Sequence, residues 1–166
     1  MGVKTLVSVE EYLRTSYEGV DREYRDGEIL ERSVPNYDHG TVQMRFGFLF
    51  GRLGEQHGLR ACSETRMRLG QDRVLIPDIA VLHPEKPATD PPTQPPLIVI
   101  EILSPTDRHS EVHQKLEEFR QWGVANVWLV DPQLRKMYVY NGGLREVTTF
   151  ELAEPAIRIP AAEVFV

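Results

Sequence analysis

Cysteine is nearly absent from this sequence of 166 residues, which contains Cys62 alone. A single cysteine excludes an internal disulfide and a zinc cage built from cysteines. Cys62 also lacks the flanking pattern of a catalytic nucleophile, so we interpret it as a small residue of the core or of a strand. Long apolar runs are missing too: none approaches the roughly 20 residues that cross a bilayer, and the first residues lack the apolar stretch of a secretory signal. We therefore expect a cytoplasmic protein with no membrane partner.

Basic residues are fewer than acidic ones, 19 against 25, and the net charge is −6. This balance argues against a non-specific nucleic-acid binder, which is usually basic. It does not argue against an enzyme whose acidic residues hold a metal ion, because the ion neutralises them. The segment from Gly40 to Arg73 is richer in arginine than in acids. A solvated surface of mixed charge explains that excess as well as a phosphate-binding surface does.

The length and the pattern of turns predict one domain that spans residues 1–166. Capping and periodicity predict helices from Ser8 to about Thr15, from about Tyr37 to Gln56, and from about Ser110 to Trp122. Hairpins are expected around Asp26-Gly27 and Asn141-Gly142. The strands expected from apolar runs and alternation are 60–69, 74–82 (interrupted by Pro77), 97–103, 127–130, 136–140 and 144–151. This order predicts an α/β protein, in the sense of a mixed central sheet flanked by helices, with an N-terminal helix and hairpin.

Glu101 is the most informative residue, because it lies in the middle of the apolar run Leu97–Leu103. An ionised carboxylate is costly to bury unless it is paired or binds a metal. Asp78 follows Pro77 and begins a second apolar run, so two neighbouring strands would each present one acid. Such a pair suits a divalent cation with oxygen ligands. A structural ion pair between Glu101 and an arginine remains the alternative.

A lysine two residues after Glu101 would complete a familiar nuclease pattern, but that position is Leu103. Lys115 can supply the cation from the following helix, where it lies near the border of the apolar face. A lysine on the helix surface is the alternative. His109 and His113 are four residues apart on the same helix, a spacing that can share a metal, but no third ligand accompanies them and a surface pair is the simpler interpretation.

Together these residues resemble a known family. Segments 77–82, 96–105 and 122–132, with Lys115, are similar to the Uma-type restriction endonuclease family of the PD-(D/E)XK superfamily, which is abundant in bacteria. Segment 23–29 resembles the acidic hairpin of that family, and His39 lies where the family carries a histidine at the start of the long helix. The likeness extends over nearly the whole chain, from about Val7 to Phe165.

The resemblance implies a restriction-endonuclease-like core with a magnesium site. Asp78 and Glu101 would bind Mg²⁺ or Mn²⁺, and the backbone carbonyl of Ile102 would complete the metal shell. Lys115 matches the displaced active-site lysine of the family, and Glu28 matches an acid that faces the same site. His39 would contact substrate, transfer a proton or cap its helix.

The implied activity is the metal-dependent hydrolysis of phosphodiester bonds in nucleic acid, expected to be DNA. Arg45, Arg66 and Arg68 are candidate phosphate contacts that would position the strand without recognising its sequence. We expect a homodimer or a higher homo-oligomer. Two alternatives remain: a non-catalytic nucleic-acid-binding or toxin-neutralising module that keeps the fold, and an oligomeric regulator that uses the hairpin Met137–Tyr140 as its interface.

Overall fold

The structure is a computed structural model and describes residues 6–166. Its helices are α1 (Val9–Arg14), α2 (Tyr37–His57), α3 (His109–Trp122) and α4 (Ala161–Val164). Its strands are β1 (Glu23–Arg25), β2 (Glu28–Leu30), β3 (Arg60–Ser63), β4 (Met67–Arg68), β5 (Arg73–Leu75), β6 (Ile79–Leu82), β7 (Ile98–Ile102), β8 (Asn126–Asp131), β9 (Lys136–Tyr140), β10 (Leu144–Val147), β11 (Thr149–Leu152) and β12 (Ile157–Pro160). No helix in this part of the chain is long and apolar enough to span a membrane.

Six strands form the central sheet in the order β10-β9-β8-β7-β6-β3. Within this sheet only the β7–β8 pair is parallel. The connecting helix α3 returns the chain to the end of the sheet at which β7 begins, so β8 runs in the same direction as β7. The sheet is therefore mixed and flanked by helices, and this prediction from the sequence is confirmed. Every residue of β7 is buried, which is the reason that the strand has few polar residues.

Alternation along β7 sorts its side chains between the two faces of the sheet. Ile98, Ile100 and Ile102 pack with residues of α2 in the larger core cluster. Val99 packs with Leu116 and Phe119 of α3 in a second cluster on the opposite face. Glu101 has the parity of Val99, so the strand directs its carboxylate toward the face that α3 covers.

A second sheet of four strands, β2-β1-β5-β4, lies beside the first. The chain passes from β5 in this sheet to β6 in the central sheet through Ile76, Pro77 and Asp78. Proline cannot donate a backbone hydrogen bond, so it suits the residue at which pairing with one sheet ends. Asp78 therefore lies directly before β6, at the point where the chain enters the central sheet.

Helix ends follow the caps that the sequence indicates. The Ser8 side chain accepts a hydrogen bond from the Glu11 amide at 3.1 Å, and Asn36 caps α2 through the His39 amide at 3.0 Å. The Asp26-Gly27 turn joins β1 to β2 with both residues at positive φ. These three elements begin or end within two residues of their predicted bounds.

Three predicted strands were wrong in extent, each because the chain changes its partner. Residues 60–69 divide between β3 and β4, residues 74–82 between β5 and β6, and residues 144–151 between β10 and β11. The elements β12 and α4 were not predicted.

The hairpin named as an interface in the regulator alternative is partly used within the fold. β9 is paired on both sides by β8 and β10, and Met137 is 1% exposed. Tyr138 and Val139 are only partly buried, so the use of this hairpin as an interface stays a prediction.

Candidate active site

Asp78 directly precedes β6, and Glu101 lies on the antiparallel neighbour β7. β6 and β7 pair with Ile79 opposite Ile100, and one further step along this register brings Asp78 opposite Glu101. Directly opposed residues project to the same face, with Cβ atoms about 4.5–5.5 Å apart. Both acids are buried, with 5% and 9% exposure. The adjacency inferred from the sequence therefore follows from the register of two central strands.

Three groups surround the Asp78 carboxylate. Oδ2 accepts the Ile102 amide proton at 2.7 Å and lies 3.3 Å from His39 Nε2, while Oδ1 lies 3.4 Å from Arg32 Nη2. Burial by itself would raise the pKa of Asp78, but the hydrogen bond from His39, the charge of Lys115 and the Ile102 amide outweigh it and lower the pKa below its ordinary value. Asp78 is therefore held as a carboxylate.

Glu101 has a different environment from Asp78. Its Oε2 atom lies 3.0 Å from Lys115 Nζ, whereas its Oε1 atom is buried without a hydrogen-bond partner among the described residues. Burial and the neighbouring charges of Asp78 and Glu23 raise the pKa of Glu101 to about 8, although Lys115 opposes them. A buried carboxylate oxygen without a partner is unfavourable and is the position at which a cation would be stabilised.

Lys115 reaches the site from α3. Leu116 and Phe119 bury the apolar face of that helix, and Lys115 lies at its border with a side chain 12% exposed. Its ammonium group donates to the Ile76 carbonyl oxygen at 2.7 Å. Burial lowers the pKa of Lys115, but the charges of Glu101 and Glu23 outweigh that effect and raise it. Lys115 Nζ lies 3.0 Å from Glu101 Oε2, so the helix after β7 brings this lysine to the carboxylate, as expected from the sequence.

Glu23 is one of the residues that the sequence reasoning missed. Its Oε1 atom lies 2.8 Å from Lys115 Nζ and accepts the Ile76 amide proton at 2.9 Å. Glu23 is 5% exposed, so this acid is as buried as Asp78. The sequence did offer one signal for Glu23, its place in the acidic hairpin. Its neighbour Tyr24, which points to the opposite face of β1, belongs to the core and is 2% exposed.

Arg32 and its partners form a network at the edge of the same site. Arg32 contacts Glu64 through one terminal nitrogen and Asp78 through the other. Gln43 donates to Glu64 Oε1 at 2.9 Å and to the Asp78 backbone oxygen at 3.0 Å. Nothing in the sequence pattern indicated Arg32, because it lies in the segment between β2 and α2, where side-chain direction follows no period.

A cavity of about 500 Å³ contains these groups. Its lining includes Glu23, Glu28, Arg32, His39, Asp78, Glu101, Ile102 and Lys115. The structure thus brings the five predicted catalytic residues and Ile102 to one cavity. Glu28 reaches it from β2, where it pairs with Arg25 of β1.

The three predicted phosphate-contacting arginines do not line this cavity. Arg66 forms two 2.7 Å bonds with the Asp21 carboxylate, and its guanidinium lies 4.4 Å from the centre of the Tyr12 ring. Arg45 donates to the Glu163 carbonyl oxygen, and Arg68 donates to that of Gly70. All three have partners within the protein, so their contact with nucleic acid stays a prediction.

Over residues 6–166 no group of three or more His, Cys, Asp and Glu side chains is arranged to hold a metal ion. The rings of His109 and His113 are 6.3 Å apart and make an aromatic contact. A metal at the cavity would therefore depend on two carboxylates together with backbone oxygen, water or substrate.

Comparison with known proteins identifies the family and the fold. Residues 9–163 match the model of the Uma2 family, whose description is "Putative restriction endonuclease". The fold is similar to the crystal structure of a "putative nuclease belonging to DUF820" from Anabaena variabilis ATCC 29413, with a TM-score of 0.84 and 21% identity. That similarity covers 96% of this chain and 97% of the other. A search of curated proteins finds no match.

Proposed function

Because this chain belongs to the Uma2 family of restriction endonucleases, we propose that it is a metal-dependent endonuclease, one domain of residues 1–166, that hydrolyses phosphodiester bonds in DNA. The observation that carries the proposal is the lysine–carboxylate contact. Lys115 Nζ lies 3.0 Å from Glu101, which is opposite Asp78 on the neighbouring strand. A cation beside two carboxylates in one cavity is an arrangement suited to phosphate chemistry.

The residues present fit a divalent cation. Glu101 Oε1 is buried and without a partner, and Asp78 is held in its ionised form. Hard cations such as Mg²⁺ and Mn²⁺ prefer carboxylate and carbonyl oxygens. We propose that Asp78, Glu101 and the Ile102 carbonyl hold the ion. When bound, such an ion polarises a phosphoryl oxygen and lowers the pKa of water.

Lys115 has the role of stabilising negative charge on the phosphate. Its ammonium group is fixed by Glu23, Glu101 and the Ile76 carbonyl oxygen, so little reorganisation accompanies the reaction. The raised pKa keeps Lys115 protonated at neutral pH. Lys115 is therefore proposed as an electrostatic group and not as the general base.

His39 and Glu28 complete the proposed site. His39 Nε2 lies 3.3 Å from Asp78 Oδ2, and the Ile102 amide donates to the same oxygen. Together these two groups fix the orientation of the carboxylate. We propose that His39 orients Asp78. Glu28 lies at the cavity wall, and we propose that it binds a second ion or the water of that ion. A DNA substrate and free Mg²⁺ are both found in the bacterial cytoplasm, where we propose that the protein acts.

The test is cleavage of supercoiled plasmid DNA in Mg²⁺ or Mn²⁺, with EDTA as the metal-free control and an RNA hairpin as the competing substrate. The expected result is metal-dependent nicking of DNA that is lost in Asp78→Asn. Mn²⁺ binding without cleavage of either substrate would favour the non-catalytic alternative.

For the assembly, we propose a homodimer through the exposed side of α2 and the edge strand β3. Tyr37, Met44 and Phe48 are 85%, 75% and 60% exposed, which is roughly 400 Å² of apolar side chain, about half of what one partner buries at a standard interface. An antiparallel pairing of two α2 helices, centred between Gly47 and Phe48, would bring Met44 opposite Gly51 of the second copy. The outer edge of β3 pairs with no described strand and can pair with its copy.

Sedimentation equilibrium tests this assembly. Met44→Glu is expected to convert a dimer into a monomer, while Leu134→Glu, a substitution at another exposed apolar residue, leaves the mass unchanged. A monomeric wild-type protein at about 100 µM, well above the Kd of a standard interface, would contradict the proposal.

A further inference from the structure

Arg32 lies at the carboxylate proposed to bind the metal. Its side chain is 10% exposed and lines the cavity, with Nη2 3.4 Å from Asp78 Oδ1. The other oxygen of Asp78 already accepts the Ile102 amide proton and contacts His39. The Oδ1 side is therefore the side on which a divalent ion would approach Asp78, and a guanidinium occupies it.

The guanidinium has a second attachment that does not involve Asp78. Nη1 of Arg32 contacts Glu64, and Gln43 fixes the same carboxylate at 2.9 Å. Glu64 has a side chain 38% exposed, so its carboxylate is more accessible to solvent than that of Asp78. If the contact with Asp78 is released, Glu64 still holds Arg32 beside the cavity with one terminal nitrogen free to donate.

Electrostatics favours such an exchange. A buried aspartate needs a counter-charge in the absence of metal, and Arg32 supplies one. A divalent ion at Asp78 would supply more charge at the same atom and repel the guanidinium. The freed donors of an arginine match the oxygens of a phosphate, which guanidinium binds through two parallel hydrogen bonds.

We propose that Arg32 is the counter-ion of Asp78 in the metal-free protein, and that it leaves Asp78 when a divalent cation binds and then donates to a phosphate oxygen of the nucleic acid. This inference rests on the proposed function. It couples the two binding steps, because the metal releases the residue that recognises the phosphate.

The first measurement is calorimetric titration of the metal-free protein with Mn²⁺. Arg32→Met removes the competing cation and is expected to bind Mn²⁺ about tenfold more tightly than the wild type. Arg158→Met removes one positive charge from the surface, where Arg158 is 74% exposed, and serves as the matched control with unchanged affinity. Equal or weaker Mn²⁺ binding by Arg32→Met would overturn the inference.

The second measurement is the fluorescence anisotropy of a labelled DNA duplex, in EDTA and at saturating Ca²⁺. Arg32→Met is expected to weaken DNA binding about tenfold in Ca²⁺, the loss of one charge-assisted phosphate contact, and to change it less than about twofold in EDTA. Equal DNA affinity of wild type and variant in Ca²⁺ would also overturn the inference.

The two hypotheses can fail separately. A wild-type protein that binds no Mn²⁺ contradicts the proposed function, whereas a wild type that binds Mn²⁺ with the affinity of Arg32→Met contradicts the role of Arg32 alone. If Arg32→Met does not fold, Arg32→Lys replaces it. Lysine keeps the charge but cannot contact Glu64 and Asp78 together, so Arg32→Lys is expected to show smaller changes in the same directions, and no change would count against the inference.

Discussion

Lys115 Nζ lies 2.8 Å from Glu23 Oε1, so a lysine on the helix that covers the central sheet is paired with an acid on the second sheet. The same ammonium group lies 3.0 Å from Glu101. Both carboxylates are buried, and the lysine supplies the positive charge that they share. The contact therefore joins the two sheets at the point where the proposed chemistry occurs.

Lys115→Met is expected to destabilise the metal-free protein strongly. The substitution leaves the buried Glu23 without its cation and Glu101 without the ammonium group that it contacts, and breaking a buried ion pair on one side costs about 3–5 kcal/mol. Thermal unfolding in EDTA should show a melting temperature lower by about 10 °C, given the usual scaling for a domain of this size. Lys136→Met is the control, because its exposed pair with Glu146 contributes less than about 1 kcal/mol.

The same variant tests catalysis once Mn²⁺ is added. The ion would replace part of the lost charge, so Mn²⁺ should raise the melting temperature of Lys115→Met more than that of the wild type. Cleavage should still fall by about 10²-fold or more, the order expected for losing one electrostatic contact in the transition state. Wild-type cleavage by a folded Lys115→Met would remove the lysine from the mechanism.

Glu23→Gln should reduce cleavage without preventing folding. Glutamine can still accept the Ile76 amide proton that Glu23 accepts, but it no longer holds the Lys115 ammonium by charge. We expect kcat to fall by about 10- to 100-fold through misplacement of the lysine, with KM little changed because Glu23 acts through Lys115.

The matched control for Glu23→Gln is Glu151→Gln, at an acid that is 64% exposed and does not line the cavity. It should leave kcat unchanged. A Glu23→Gln enzyme with wild-type kcat would show that Glu101 and the Ile76 carbonyl oxygen are sufficient to fix Lys115.

The central part of the site could be predicted because it violates the hydrophobic pattern. Glu101 interrupts a buried apolar strand, which is unfavourable unless something compensates it. Lys115 could be located from helical periodicity, since it borders the apolar stripe that contains Leu116 and Phe119. Both inferences use local rules that hold whatever the neighbouring strands are.

The remaining residues depend on contacts that no local rule provides. Glu23 belongs to a second sheet, and the chain passes from that sheet to the central one at Pro77. Apolar residues lie on both sides of Pro77, so the pattern predicted one interrupted strand. Arg32 lies outside helices and strands, where neither period applies. Arg66 was assigned to phosphate because of its charge, whereas its partners are distant in sequence: Asp21 is 45 residues away.

Arg66 provides a test of that assignment. If its main role is the contact with Asp21 and the Tyr12 ring, Arg66→Met should lower the free energy of unfolding by about 1.5–3 kcal/mol, as expected for a partly buried, charge-assisted pair with two hydrogen bonds. DNA affinity of the folded variant should be unchanged, and so should its dependence on salt. A reduced salt slope with wild-type stability would instead assign Arg66 to the phosphate backbone.

Acid stability should depend on the same pair. Hydrogen bonds and the charge of Arg66 outweigh burial and lower the pKa of Asp21 below 3.8. A lowered pKa means that the pair stabilises the fold above pH 3.8 and that this contribution is lost as the pH falls through the folded-state pKa. The melting temperatures of wild type and Asp21→Asn should therefore converge as the pH is lowered from 6 toward 3.

Glu101 predicts the opposite dependence at higher pH. Burial raises its pKa from 4.5 to about 8, so in the absence of metal the folded protein binds this proton more tightly than the unfolded chain does. Stability then falls as the pH rises from about 4.5 to about 8, since the folded state must release a proton that the unfolded chain has already lost. Glu101→Gln carries no titrating proton, so its melting temperature in EDTA should be close to that of the wild type near pH 5 and exceed it increasingly toward pH 9.

Mn²⁺ should stabilise the wild type more at pH 8 than at pH 6, because the ion binds the carboxylate and competes with the proton. A Glu101→Gln protein that is strongly destabilised at every pH would instead identify Glu101 as an ionised partner of Lys115 whose role is structural.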